Sequence, residues 1–204
     1  MTADNKRSLL TFKGFFSALP DFLTASVFVY VWLYAPERPH LVKTMMLVML
    51  IEFLVVHSAG FLGAIVFGNL SRSAKTKAVL GLGSIYALFA LAFSAGFNSI
   101  WPVFWIVWLL LSKLVVIWFG EGTSDRQKAR MMGEWAAGVA FYVLGVFITL
   151  MPIIPRFSLT PEFVSTLSIE GSGVWIEQPH TVIAFGVIYF VAIGVTKMLL
   201  VRSN

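Results

Sequence analysis

The sequence predicts an all-α integral membrane protein: a six-transmembrane-helix bundle with both termini on the cytoplasmic side, a short interfacial N-terminal helix and a structured outer loop between helices five and six. Three observations predict it. Of 204 residues, 58% are hydrophobic and only 12% charged, about half the charged share of soluble domains. The apolar residues fall into long runs, which lipid forces into helices because nothing else there satisfies the backbone. Lys and Arg gather on alternate connections between the runs.

The first span reads from about residue 20 to 35, between Pro20 and Pro36. At about 1.5 Å per residue that is short for a bilayer. It extends back through Phe15 and Phe16 if Pro20 is a kink rather than a start. Ahead of it, Leu9, Phe12, Phe16 and Leu19 share one helical face. Residues 8–19 are therefore either a helix lying in the inner interface, anchored by Lys6 and Arg7, or the beginning of the span. The apolar run starts beyond Lys13 and lacks a small-residue cleavage site, so no cleavable signal peptide is expected. The remaining spans cover about 43–68, 78–97, 100–119, 132–154 and 181–201, and residues 1–204 read as a single transmembrane domain.

The outer loop, 155–180, is the longest connection. Thr160 can cap a short helix with Pro161 at its first position and Glu162 in its first turn. Glu170-Gly171-Ser172-Gly173 signals a turn. So apolar a loop is either a lid over an outward-facing cavity or a cap shielding helix ends.

With the N-terminus inside, eleven Lys and Arg fall on inner segments and three, Arg38, Lys43 and Arg156, on outer ones. Lys113 is left within a span. The net charge of +5 is thus a topogenic signal. No basic groove with interleaved aromatics accompanies it, so nucleic acid is not an expected partner. The expected partners are the bilayer, with anionic lipid at its inner leaflet, and a homo-oligomer or larger membrane complex. The expected location is the bacterial inner membrane. The absence of cysteine excludes disulfides and thiol ligation. HExxH, GxSxG and P-loop motifs are missing as well, so no catalytic residues and no cofactor are predicted.

Ionisable groups inside spans are candidates for function because lipid penalises them unless paired or hydrated. Glu52, His57, Lys113 and Glu134 are such groups. Glu52 and His57 sit about 140° apart on one helix and so face different neighbours. They suit either a proton relay or quiet hydrogen bonds between helices. Lys113 and Glu134 lie at similar depth on consecutive spans, where an ion pair is one reading. Snorkelling of the lysine and a helix N-terminal position for the glutamate are the others. His40 and His180, on loops with Glu37 and Glu177 nearby, form a weak candidate for a divalent metal.

Two patterns concern packing. Gly60, Ala64 and Gly68 repeat every four residues, as do Ala136 and Ala140. Such faces permit close helix approach within a bundle or between copies. Trp101, Trp105 and Trp108 share a face of the fourth span. Trp108 is too deep for an interfacial belt, so it either lines a groove for a quinone, pigment or lipid tail or fills bundle space.

Function is read in this order. The first reading is a non-enzymatic accessory or oligomer-forming membrane subunit. The second is a small proton-linked transporter or channel using Glu52 and His57. The third is a membrane enzyme or redox protein for a lipid-soluble substrate.

Overall fold

A computed structural model describes residues 3–120, 124–169 and 171–202. The chain forms α1 (Ala3–Tyr34), α2 (Pro39–Phe67), α3 (Arg72–Gly96), α4 (Trp101–Phe119), α5 (Asp125–Thr149), α6 (Pro161–Thr166), α7 (Val174–Glu177) and α8 (Pro179–Arg202). Among the described residues six helices are long and apolar enough to cross a membrane: α1 to α5 and α8. That is the number the apolar runs predict.

The helix bounds differ from the apolar runs where polar residues start or stop a helix. The α1 helix continues through Pro20, so residues 8–19 are continuous with the first span. The side chains of residues 3–11 and of Lys13, and with them the Leu9 face and the Lys6 and Arg7 anchors, lie outside the described residues. The α2 helix begins at Pro39, ahead of the expected 43, because proline suits a first helical position. Between α1 and α2 runs a single 3-10 turn, Ala35–Glu37. The α5 helix begins at Asp125 rather than 132 and ends at Thr149 rather than 154. At its start Gln127 N–H donates to Ser124 Oγ at 3.3 Å, and Ser124 N–H donates to Gln127 Oε1 at 3.1 Å. This reciprocal capping box satisfies two orphan donors and carries residues 126–130 into the helix. At its end Pro152 and Pro155 turn the preceding residues away from helical geometry.

Packing divides the chain into two compact units, Met1–Met46 with Ala136–Asn204, and Leu47–Trp135.

In the first unit α1 packs along α8. Glycines make the close approach. A Cβ on Gly186 would lie 2.3 Å from the Phe28 ring, and one on Gly194 would lie 2.9 Å from that of Phe22. Phe28, Val31, Phe185 and Tyr189 are fully buried. The rings of Tyr142, Phe185 and Tyr189 meet edge to face at 5.0–5.9 Å, the favoured arrangement of aromatic quadrupoles.

The loop after α5 is fastened to this unit. Ser158 Oγ donates to the Trp32 carbonyl at 2.9 Å, and the Ala35 N–H donates to Ser158 Oγ at 2.9 Å. Trp32 Nε1–H donates to the Pro155 carbonyl at 2.9 Å, and Lys43 Nζ donates to the Ser168 carbonyl at 3.1 Å. These bonds finish the C-terminal end of α1, whose last carbonyls have no partner within the helix. Residues 155–168 thus behave as a cap on helix ends. As predicted, Thr160 caps α6 by accepting the Phe163 N–H. Gly171 and Gly173 take positive φ, 110° and 121°, as a turn there requires. Glu170, the first residue of that expected turn, lies outside the described residues.

In the second unit α3 and α4 pack as neighbours across a four-residue connection, 97–100. One buried cluster joins Ile51, Leu54, Tyr86, Ala90 and Ile106, and another joins Leu62, Val66, Val79 and Ile117. Lys75 Nζ donates to the Val66 carbonyl at 2.7 Å, so a lysine closes the C-terminal end of α2.

Candidate functional site

The second unit contains a cleft of about 520 Å³, within the ordinary range of small-molecule sites. Three helix ends build it: the last turns of α2, the C-terminal half of α4 and the first turns of α5. The seat is Gly60. A Cβ there would stand 2.6 Å from the Trp135 ring, and the Trp135 Nε1–H donates to the Val56 carbonyl at 3.0 Å. The indole is thereby fixed across α2. Next to it a Cβ on Gly63 would meet nothing within 4 Å, so the small residues Gly63 and Ala64 border open space. Phe61, Phe67, Met131 and Met132 complete the apolar lining, and Lys113 and Lys128 bring the charge. Phe61 and Met132 are 61% and 67% exposed, so the cleft is open to its surroundings on that side.

Lys113 is half-buried in the cleft. A Lys113–Glu134 ion pair, one of the readings open for these two residues, does not form. Glu134 Oε1 instead accepts from Arg130 Nε at 2.8 Å. The reason is the early start of α5. Once Arg130 belongs to the helix it stands one turn before Glu134, in the i,i+4 position that favours pairing. Among the described residues no carboxylate pairs with Lys113.

The other predicted residues lie elsewhere. Glu52 and His57 are half-buried on α2 and do not line the cleft. His57 Nδ1 is 2.9 Å from the Phe53 carbonyl oxygen. A carbonyl only accepts, so in this hydrogen bond Nδ1 carries the hydrogen. Trp105 and Trp108 are 54% and 68% exposed. With Trp101 and Phe104 they form an outward facet of α4 alone, so Trp108 does not fill space inside this unit. Within the Gly60–Ala64–Gly68 stripe, Gly60 is covered by Trp135 and Ala64 borders the cleft, while Ala136 and Ala140 are exposed. His40 is exposed at the start of α2, whereas His180 is buried at the start of α8. No group of three His, Asp or Glu among the described residues is arranged to hold a metal ion, so His40 and His180 do not join Glu37 or Glu177 in such a site.

One ion pair escaped the sequence reading. Lys197 Nζ lies 2.7 Å and 3.0 Å from the two carboxylate oxygens of Asp21. It joins α1 to α8, with the Asp21 side chain 11% exposed. The available signal was an aspartate directly after Pro20 within an apolar run.

The cleft offers an apolar hollow, a fixed indole and cationic side chains, and no carboxylate is among its described lining residues. Comparison with protein-family models, with curated proteins and with solved structures finds no match for the chain.

Proposed function

We propose that this chain is a non-enzymatic, multi-pass subunit of a bacterial inner membrane, with both termini cytoplasmic, that holds a lipid-soluble, negatively charged molecule in the Lys113 cleft. One observation carries the reading: the half-buried Lys113 side chain, with no described carboxylate paired to it, stands in an apolar cleft. At this depth an unpaired charge is costly, and an anion with an apolar body relieves that cost while filling the hollow. The orientation rests on the eleven-to-three split of basic residues. The test is native mass spectrometry of protein released from mild detergent. The expected result is a 22.6 kDa chain, or a multiple of it, carrying a discrete additional mass. Bare protein under every release condition refutes the reading.

A second reading, proton-linked transport, is favoured by two half-buried ionisable side chains, Glu52 and His57, on the same apolar helix. In liposomes Glu52→Gln and His57→Gln would then each abolish proton flux while leaving the fold intact. Flux indifferent to both removes it.

A further inference from the structure

We infer that the ligand of the cleft is a lipid-soluble carboxylic acid of the fatty-acid class. Its carboxylate pairs with Lys113, and its hydrocarbon part occupies the apolar hollow. The inference rests on the reading of the cleft as an anion site and goes on to name the anion's chemistry.

The first argument is the supply of donors. Three side chains in the described lining carry N–H groups: Lys113, Lys128 and Trp135. The Trp135 Nε1–H is engaged by the Val56 carbonyl at 3.0 Å, and Lys128 already has a partner. Lys113 is therefore the donor left for a ligand. A lysine ammonium brings one charge and three hydrogens. A carboxylate matches it with one charge and two oxygens. A sulfonate spreads the same charge over three oxygens, and a phosphodiester adds two ester oxygens. Each oxygen enclosed without a donor costs free energy.

The second argument is depth. Lys113 lies six residues before the end of α4, roughly 9 Å inside the helix at about 1.5 Å per residue. Its side chain is half-buried, so the anionic head must come to the lysine. Carrying a bare charge to that depth is costly. A carboxyl avoids the cost by taking up a proton, which apolar surroundings favour. Sulfonates and phosphodiesters stay ionised at ordinary pH. Beside Lys113 the proton leaves the carboxyl oxygen for the ε-amine, or for water where the amine already carries three hydrogens. One carboxylate–ammonium pair results, with charge-assisted hydrogen bonds.

The third argument is the wall. Apart from the two lysines the described lining is apolar. Gly63 leaves space where another residue would place a Cβ. An apolar body is stabilised there by leaving water.

The test offers the purified protein, in a nonionic detergent, palmitic acid, hexadecanesulfonic acid and hexadecanol. The three have equal chain length, are added one at a time, and are counted as retained mass by native mass spectrometry. Wild type is expected to retain palmitate and to hold about 10-fold less of the sulfonate and of the alcohol, the size of one charge-assisted contact. Lys113→Met is expected to bring palmitate down to the level of hexadecanol. Ala64→Phe, which adds bulk at an exposed position bordering the hollow, is expected to lower retention of all three. Both variants are scored on the folded fraction, read by circular dichroism. Sulfonate retained as well as palmitate by wild type overturns the carboxylic acid and leaves a lipid-soluble anion standing. Palmitate retention untouched by Lys113→Met overturns the pairing with Lys113. Hexadecanol retained as well as palmitate by wild type overturns this inference and the anion site together. No retained mass with any of the three overturns this inference, and the anion site falls with it when the protein as released is also bare.

Discussion

Asp21 and Lys197 meet across 176 positions of sequence. Each is the other's compensation for leaving water. Removing one partner strands a charge, which costs about 3 kcal/mol or more, whereas replacing both with apolar groups of similar size is often neutral. We therefore expect Asp21→Leu and Lys197→Met each to lower detergent unfolding stability strongly. The double substitution Asp21→Leu with Lys197→Met should recover most of the loss. A double variant as unstable as the sum of the two singles would show that the side chains act independently. The sequence concealed this pair for a physical reason. Lys197 sits where a basic flank belongs and Asp21 sits beside a proline, so each has a sufficient local explanation. Only the packing of α1 on α8 makes them partners. Gly186 and Gly194 were equally silent: they stand eight apart, outside the four-residue repeat that drew attention to Gly60, Ala64 and Gly68.

Helix ends, rather than helix cores, separate the expected elements from the observed ones. Apolar runs mark where lipid demands a helix, whereas capping groups decide where one begins. Ser124 and Gln127 start α5 seven residues before its apolar run, and the Arg130–Glu134 pair is the consequence. In the short α6 the cap was legible because Thr160, Pro161 and Glu162 stand together in a polar stretch. That cap gives a sharp expectation. The backbone N–H of Glu162 and the Thr160 hydroxyl, in that order, hold the Glu162 carboxyl below its ordinary range. A depressed folded-state value means the contribution is fully present at neutral pH. It is lost as pH falls through that lower value, below about pH 4. Hydrogen exchange should accordingly show the amides of Val164 and Leu167 losing protection in that acid window. In Glu162→Gln the pH dependence should flatten. An acid loss that persists unchanged in Glu162→Gln would place the sensitivity elsewhere. Thr160→Ala should weaken the same amides at neutral pH by about 1 kcal/mol.

For the whole molecule, the number of spans followed from hydropathy alone, since lipid leaves the backbone no alternative to helices. The division into two units did not, because its boundaries fall inside α2 and α5, where nothing in the local sequence changes. The orientation proposed from charge can be measured cleanly, because the chain has no cysteine. Ser73→Cys, in the first turn of α3, and Ser172→Cys, in the loop before α7, introduce one thiol each at exposed positions. In intact cells an impermeant maleimide should label Cys at 172 and spare Cys at 73, and lysis should expose the latter. The reverse pattern inverts the topology and moves the Lys113 cleft to the opposite leaflet.

The knot at Ser158 also has a consequence in time. The Trp32 carbonyl receives its hydroxyl donor from a residue 126 positions later. At about 5–20 residues per second, a ribosome needs roughly 6–25 s to deliver that serine after the first span has emerged. Through that interval the last turn of α1 waits with its carbonyls open to water. The first helix to be made is thus among the last to be completed, and its C-terminal end is sealed only after the fifth has been made.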